Sequence, residues 1–208
     1  MPATKTPREE PVKKRGPYNP YATRARCLES ALELFSERGF HQTTVAAITQ
    51  RAGLTKGAFY HHFESKEDVL QQIHAEYATQ MVEGAREVFQ QDIAPIEKLR
   101  AIIERAVIQL GRHRKHVAVF YQENRFLSGE AYDAIRALHD EQEEILLKVI
   151  RAAKRRKELR ADVDPKLLMF TISGVTAWIY QWYTEKGPMK LEDIASQLAS
   201  YIVDGVKA

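Results

Sequence analysis

Apolar side chains recur at three- and four-residue intervals along most of the chain. From Tyr21 to Arg38 the positions Cys27, Leu28, Ala31, Leu32, Leu34 and Phe35 form one stripe, and Gly39 supplies a stop, which predicts a first amphipathic helix. A short helix is expected over 45–52, introduced by Thr43-Thr44 and stopped at Gly53, and a shorter one over 56–61 with Thr55 as its N-cap. Ser65-Lys66-Glu67-Asp68 reads as a capping box with Asp in the usual Glu place, opening a longer helix through Phe89. Beyond Pro95 the spacing predicts helices over 96–112, 114–127, 130–157, 165–184 and 190–206, separated by Gly129, the Asp162-Val163-Asp164-Pro165 turn and Gly187-Pro188. No segment alternates with a period of two and no repeat is visible, so the fold class is all-α.

One stretch departs from this amphipathic rule. Leu167 to Thr184 is 18 consecutive uncharged residues, long enough to be tested as a membrane span. It contains Thr171, Ser173, Gly174, Thr176, Gln181 and Thr184, too polar for a lone span, and a helix covered on both sides is expected. Residues 1–20 hold Pro2, Pro7, Pro11, Pro17 and Pro20 without apolar period, which predicts a flexible arm. The arm has no apolar core of signal-peptide length, so export is not expected.

Composition agrees with a folded chain: 208 residues, 44% hydrophobic and 28% charged. Charge changes the picture once it is divided. Residues 1 to 70 carry 11 basic and 8 acidic side chains, whereas residues 71 to 208 carry 20 of each, so the whole +3 excess lies in the first third. That third also holds two short helices joined by a Gly-containing turn, the form of a helix-turn-helix. Ile48, Ala52, Leu54 and Phe59 would close its small core, and Gly53 permits a positive φ.

The run Gly39-Phe40, Thr43-Thr44-Val45, Ile48, Ala52-Gly53-Leu54-Thr55-Lys56-Gly57-Ala58-Phe59-Tyr60-His61-His62-Phe63 and Ser65-Lys66-Glu67 resembles the N-terminal signature of TetR-family bacterial transcription regulators. The resemblance covers about 45 residues, from Arg24 to Leu70. It implies a basic arm over 1–20, a three-helix helix-turn-helix DNA-binding domain over 21–66, and a helical ligand-binding and dimerisation domain over 67–208. It further implies that Thr44, Tyr60, His62 and Lys66 hold phosphates while Thr55, Lys56, Gly57, Ala58 and His61 face the major groove of double-stranded operator DNA. Hydroxyls, ammonium groups and helix N-terminal amides are natural phosphate donors, and small residues allow close approach to base edges. Arg24, at the start of the first helix, is expected on a phosphate, and the arm's Lys5, Arg8, Lys13, Lys14 and Arg15 along the duplex.

A recognition helix this short reads few base pairs, so a homodimer with two heads about 34 Å apart is expected. The resemblance places the interface on the last two helices. There Gly174 and Ala177 would permit close backbone approach, and Leu191, Ile194, Leu198 and Tyr201 stripe the final helix. Val117, Phe120, Tyr121, Asn124 and Phe126, with Trp178 and Trp182, form an aromatic-rich set with a few polar groups, the lining a small hydrophobic effector requires. The segments 116–126 and 178–188 are similar to family repressors of acyl-CoA catabolism. An acyl-CoA effector would find phosphate partners among Arg112, Arg114, Lys115 and the run Lys154-Arg155-Arg156-Lys157.

The residues exclude other chemistry. One cysteine, Cys27 on an apolar slot, excludes a disulfide within the chain and fits a reducing, cytoplasmic setting. His113-x-x-His116 has helical metal spacing without an acidic or Cys neighbour on that face, so no metal is expected, and no cofactor. No Gly-rich phosphate loop and no nucleophile with its base can be named, so the chain is not read as an enzyme. Two other regulators remain open: an efflux regulator sensing amphipathic drugs, which requires an acidic group such as Glu123 pointing into an aromatic pocket, and a structural or division-linked DNA-binding factor with no small ligand.

Overall fold

The computed structural model describes residues 19–208, without the side chains of Arg125 and Ala131, so the proposed arm lies almost entirely outside the described residues. The helix order is α1 (Pro20–Arg38), α2 (Val45–Ala52), α3 (Lys56–Tyr60), α4 (Lys66–Gln90), α5 (Pro95–Arg112), α6 (Arg114–Glu123), α7 (Gly129–Arg155), α8 (Pro165–Ala177), α9 (Ile179–Trp182) and α10 (Leu191–Val206). No strand occurs among the described residues, and the extended chain amounts to one bridge between Leu159 and Lys207.

The sequence signals for helix ends are the groups that close them. Asn19 caps α1 ahead of Pro20, and Asp164 accepts from Lys166 N and Leu167 N ahead of Pro165. Ser65 Oγ accepts from Asp68 N at 3.0 Å, while Asp68 Oδ2 accepts from Glu64 N at 3.0 Å. The shorter Asp thus completes the box one residue upstream of the usual Glu partner.

Two predicted helices are shorter than expected. The one drawn over 114–127 ends at Glu123, whose φ −118°, ψ 0° leads into a 3-10 turn over Asn124–Phe126. The uncharged helix drawn over 165–184 breaks at Trp178 into α8 and α9. Just before the break, Thr176 Oγ1 donates back to Ile172 O at 2.8 Å and Ser173 O at 3.3 Å, a back-bond that bends helices.

Two cores result. The first joins α1, α2 and α3 through Phe35, Ile48, Phe59 and Phe63, and draws in Val69, Leu70 and Ile73 of α4, Val119 of α6 and Ile135 of α7. The second joins α4, α5, α7, α8 and α10. At Gly111 of α5 an added Cβ would lie 2.4 Å from Leu191 Cδ1, so the Leu191 side chain packs directly over the glycine and a larger residue there would displace it. Leu191 and Ile194, assigned above to a dimer stripe, are therefore buried within the protomer, at 6% and 5% exposure. Their apolar spacing served an internal helix contact, which periodicity does not distinguish from an external one.

The uncharged stretch is covered on one side only. Ile172, Thr176 and Ile179 face inward, while Leu167, Phe170, Val175, Trp178 and Trp182 remain exposed on this chain, as does Tyr201 of α10. Gly174 has no heavy atom within 4 Å of an added Cβ and faces open space, Leu198 is half-buried, and Ala177 turns partly inward. No helix among the described residues is long and apolar enough to cross a membrane.

Candidate nucleic-acid interface and effector chamber

The helix-turn-helix is built on caps. Thr44 Oγ1 accepts from Ala47 N at 3.2 Å and Thr55 Oγ1 from Ala58 N at 3.1 Å, fixing the starts of α2 and α3. Gly53 closes α2 at φ +64°, a left-handed conformation that favours glycine. Arg26, counted among the basic groups at the chain start, turns inward: its guanidinium donates to Ala52 O and Gly53 O, closing the α2 carbonyl end. Thr49 is buried and donates to Ala46 O at 3.0 Å.

Thr44, Thr55, Lys56, Gly57, Tyr60 and His61 are all exposed, and Ala58 and His62 half-buried, so α3 presents its N-terminal turn outward. Tyr60 is 58% exposed while its neighbours Phe59 and Phe63 are buried, which separates surface from core within one turn. His61 and His62 lie edge to face at 5.0 Å. Partial burial and the neighbouring His61 and Arg24 hold His62 below the usual imidazole range.

Two residues expected on phosphates have other tasks. Lys66 Nζ donates to Phe40 O at 2.8 Å and Thr43 O at 3.0 Å and sits 4.1 Å from the Phe40 ring centroid. It staples α4 to the α1–α2 loop. Arg24 Nη1 pairs with Glu76 at 2.8 Å, and its other amine donates to Gln72, so the side chain lies along α4. The Lys66 assignment is corrected, because two carbonyls of its own chain engage the part-buried ammonium, whereas the Arg24–Glu76 pair is exposed and of a kind that exchanges with a phosphate.

A chamber of about 170 Å³ lies between α4, α5, α6, α7 and α8. Its wall takes Tyr77 and Met81 from α4, Leu110 from α5, Val117, Phe120 and Tyr121 from α6, His139, Gln142, Glu143 and Leu146 from α7, and Ser173, Thr176 and Ala177 from α8. Of the expected lining residues, Val117, Phe120 and Tyr121 are there, joined by Ala177 from the expected interface. Asn124 and Phe126 are not, because α6 ends before them: Phe126 stacks on Phe40 at 5.6 Å and meets His41 edge-on at 4.2 Å. Trp178 and Trp182 are not either, since the break at Trp178 leaves them 61% and 49% exposed. The wall contributed by α4 and α7 escaped sequence reasoning, since an apolar stripe facing a cavity looks like one facing a core. His74 and Tyr77, polar on the buried face of α4, were the available signal.

Burial governs the ionisable groups nearby. His74 is 1% exposed, and desolvation, followed by His116 and His139, brings its pKa down to about 4. His116 falls to about 4 through burial and then His113. His116 stacks under Tyr77 at 5.8 Å, and no group of three or more metal-ligating side chains occurs among the described residues. Cys27 is 1% exposed with its thiol pushed up to about 11 by burial, a packed apolar group.

Glu123 faces away from the chamber. It is 7% exposed, and its Oε1 accepts from Phe40 N at 3.0 Å. The last turn of α6 and the first turn of α4 therefore hold the same loop, residues 39–43. The cationic run at the end of α7 is also engaged elsewhere: Lys154 Nζ donates to Val163 O, and Arg156 pairs with Glu158 at 3.1 Å. These groups seal the chain reversal beyond α7, and none lines the chamber.

A family model described as bacterial regulatory proteins, tetR family, matches residues 28–73, and one described as tetracyclin repressor-like, C-terminal domain, matches residues 92–206. The HTH-type transcriptional repressor KstR2 of Rhodococcus jostii is 29% identical over 185 residues, covering 88% of this chain and 90% of the relative. The structure of the ketosteroid transcriptional regulator KstR2 of Mycobacterium tuberculosis aligns with a TM-score of 0.82 at 25% identity, covering 89% of this chain and 95% of that one. The crystal structure of AibR in complex with isovaleryl coenzyme A and operator DNA aligns with a TM-score of 0.76 at 27% identity, covering 86% of this chain and 96% of the other.

Proposed function

The chain belongs to the TetR family of bacterial regulatory proteins, and from that premise we propose that it is a cytoplasmic, homodimeric transcriptional repressor that leaves a palindromic operator when an acyl-CoA enters the chamber. The observation that carries this reading is the pair of helices running from the chamber to one loop. On α4, Tyr77 lines the chamber and Lys66, 11 residues or about 16 Å away along the axis, holds the loop carbonyls. On α6, Phe120 lines the chamber and Glu123, one turn later, holds the loop amide. That loop leads directly into α2. A ligand that displaces either wall shifts the loop, and with it the spacing of two recognition helices in a dimer.

In this reading Thr44, Tyr60 and His62 meet phosphates, while Thr55, Lys56, Gly57, Ala58 and His61 enter the major groove. The second copy covers the exposed face of Leu167, Phe170, Gly174, Val175, Trp178 and Tyr201, an apolar patch of a kind monomers rarely leave open. The acyl-CoA assignment draws support from the AibR complex. Arg112, Arg114 and Lys115, at the α5–α6 junction, are the phosphate candidates. The ion pairs of Arg112 with Glu192 at 3.2 Å and of Lys115 with Glu33 at 3.4 Å are exposed and exchange readily. Glu123 faces away from the chamber, whereas Glu143 lines its mouth, so a drug-sensing regulator retains an acidic group there and the effector titration separates the two readings; the chamber itself disfavours a ligand-free structural factor.

A mobility-shift titration with a panel of short- and medium-chain acyl-CoAs tests the proposal. Release from operator DNA by a thioester is expected; release by amphipathic drugs but by no thioester would overturn the effector class.

A further inference from the structure

Among the described residues, the chamber wall holds one buried polar atom without a hydrogen-bond partner. Tyr77 is 6% exposed, and its Oη is buried without a hydrogen-bond partner. Its ring lies against that of His116, 5.8 Å between centroids and 21° between planes. The other buried hydroxyl on the wall, Thr176, is already spent on Ile172 O. A buried hydroxyl without a partner is costly, and a ligand acceptor placed against it recovers that cost.

Depth, charge and size narrow what can meet it. Tyr77, Leu110, Val117 and Leu146 are buried in the wall, whereas Tyr121 and Glu143 are exposed and mark the mouth, so a ligand entering past these two meets Tyr77 with its inner end. No lysine or arginine is among the lining residues, and burial holds the His139 imidazole towards its neutral form. A carboxylate driven to the closed wall would therefore be buried unpaired, at a large cost. A cavity of about 150 Å³ accepts a benzene ring. The chamber's 170 Å³ thus takes a group of about six to eight non-hydrogen atoms.

We propose that the chamber selects an effector whose buried end is compact and uncharged and carries a hydrogen-bond-accepting oxygen at its far tip, received by Tyr77 Oη. This rests on the chamber being the effector site and adds the chemistry at the end remote from any coenzyme.

Calorimetry on the full chain tests it with two matched probes, levulinyl-CoA, which carries a ketone near its tip, and pentanoyl-CoA, which does not. The wild type binds the keto thioester roughly three- to tenfold more tightly, the worth of one net hydrogen bond, and Tyr77→Phe binds both alike. Tyr77→Phe without ligand melts no lower than the wild type, which separates a lost contact from a damaged fold. Equal wild-type affinities, or a preference that survives in Tyr77→Phe, overturn the proposal. Methyl levulinate and methyl pentanoate separate it from the thioester reading: a Tyr77-dependent keto preference among esters, with neither CoA compound bound, keeps the chamber inference and removes the coenzyme. Binding of neither pair overturns the inference, as does free levulinate binding more tightly than its methyl ester.

Discussion

In the reading head, α1 to α3 with the start of α4, helix ends close on side chains: Thr44, Thr55 and Ser65 cap three helices, Arg26 closes the α2 carbonyls, and Lys66 and Glu123 hold the 39–43 loop. In the body the buried polar groups left over are both nitrogens of His74, Tyr77 Oη, and Nε of Arg105 and Arg114. The two regions also expose different surfaces. Among large apolar residues the head leaves Tyr21 and Tyr60 outside, whereas the body leaves Leu167, Phe170, Trp178, Trp182 and Tyr201. The head is internally complete and presents a polar edge, as a unit that must keep its shape on DNA requires. The body carries unfinished polar and apolar surface, which a ligand and a second copy can finish.

Breaking the apolar face of the body gives the largest expected effect. Trp178→Glu places a charge at the proposed dimer contact; light scattering is expected to show a monomer, and operator affinity to fall more than about 100-fold because one head reads too few base pairs. A Trp178→Glu protein that stays dimeric would move the interface elsewhere.

The unfinished polar groups come next. The folded pKa of His74, about 4, lies below the ordinary value of 6.5, so the unfolded state binds more protons between those limits. Stability from keeping this imidazole neutral is fully present above pH 6.5 and lost as pH falls through about 4, on the order of 3 kcal/mol. Urea melts of wild type and His74→Phe across this window are expected to show a shallower acid loss in the variant. Parallel curves would mean that other groups carry the titration.

The smallest effect belongs to the polar edge of the head. Lys56→Ala is expected to weaken operator binding by about 1–3 kcal/mol and relax sequence preference without changing the melting temperature, read by anisotropy at fixed salt. Loss of stability instead would place Lys56 in the head's framework, where Lys66 and Arg26 are found.

That last distinction marks where sequence reading stopped. Caps and turns depend on neighbours within four residues, so Thr44, Thr55, Ser65 and Gly53 were legible in place and role. Lys66, Arg24 and Glu123 meet partners 23 to 83 residues away, and nothing local signals whether a lysine beside a DNA-reading helix faces phosphate or a carbonyl of its own chain. The chamber was half legible for a related reason. Its α6 wall is aromatic and was found, whereas α4 and α7 contribute ordinary amphipathic faces. Trp178 and Trp182 were misplaced because a helix that looks continuous in sequence breaks at Trp178.

The central claim is that occupancy of the chamber controls the head. Anisotropy of a fluorescent operator duplex, titrated with an acyl-CoA whose binding to the full chain is measured in parallel by calorimetry, tests it most directly. The account predicts that anisotropy falls to the free-DNA value over the concentration range in which the chamber fills. Saturated ligand binding with the duplex still held would contradict it.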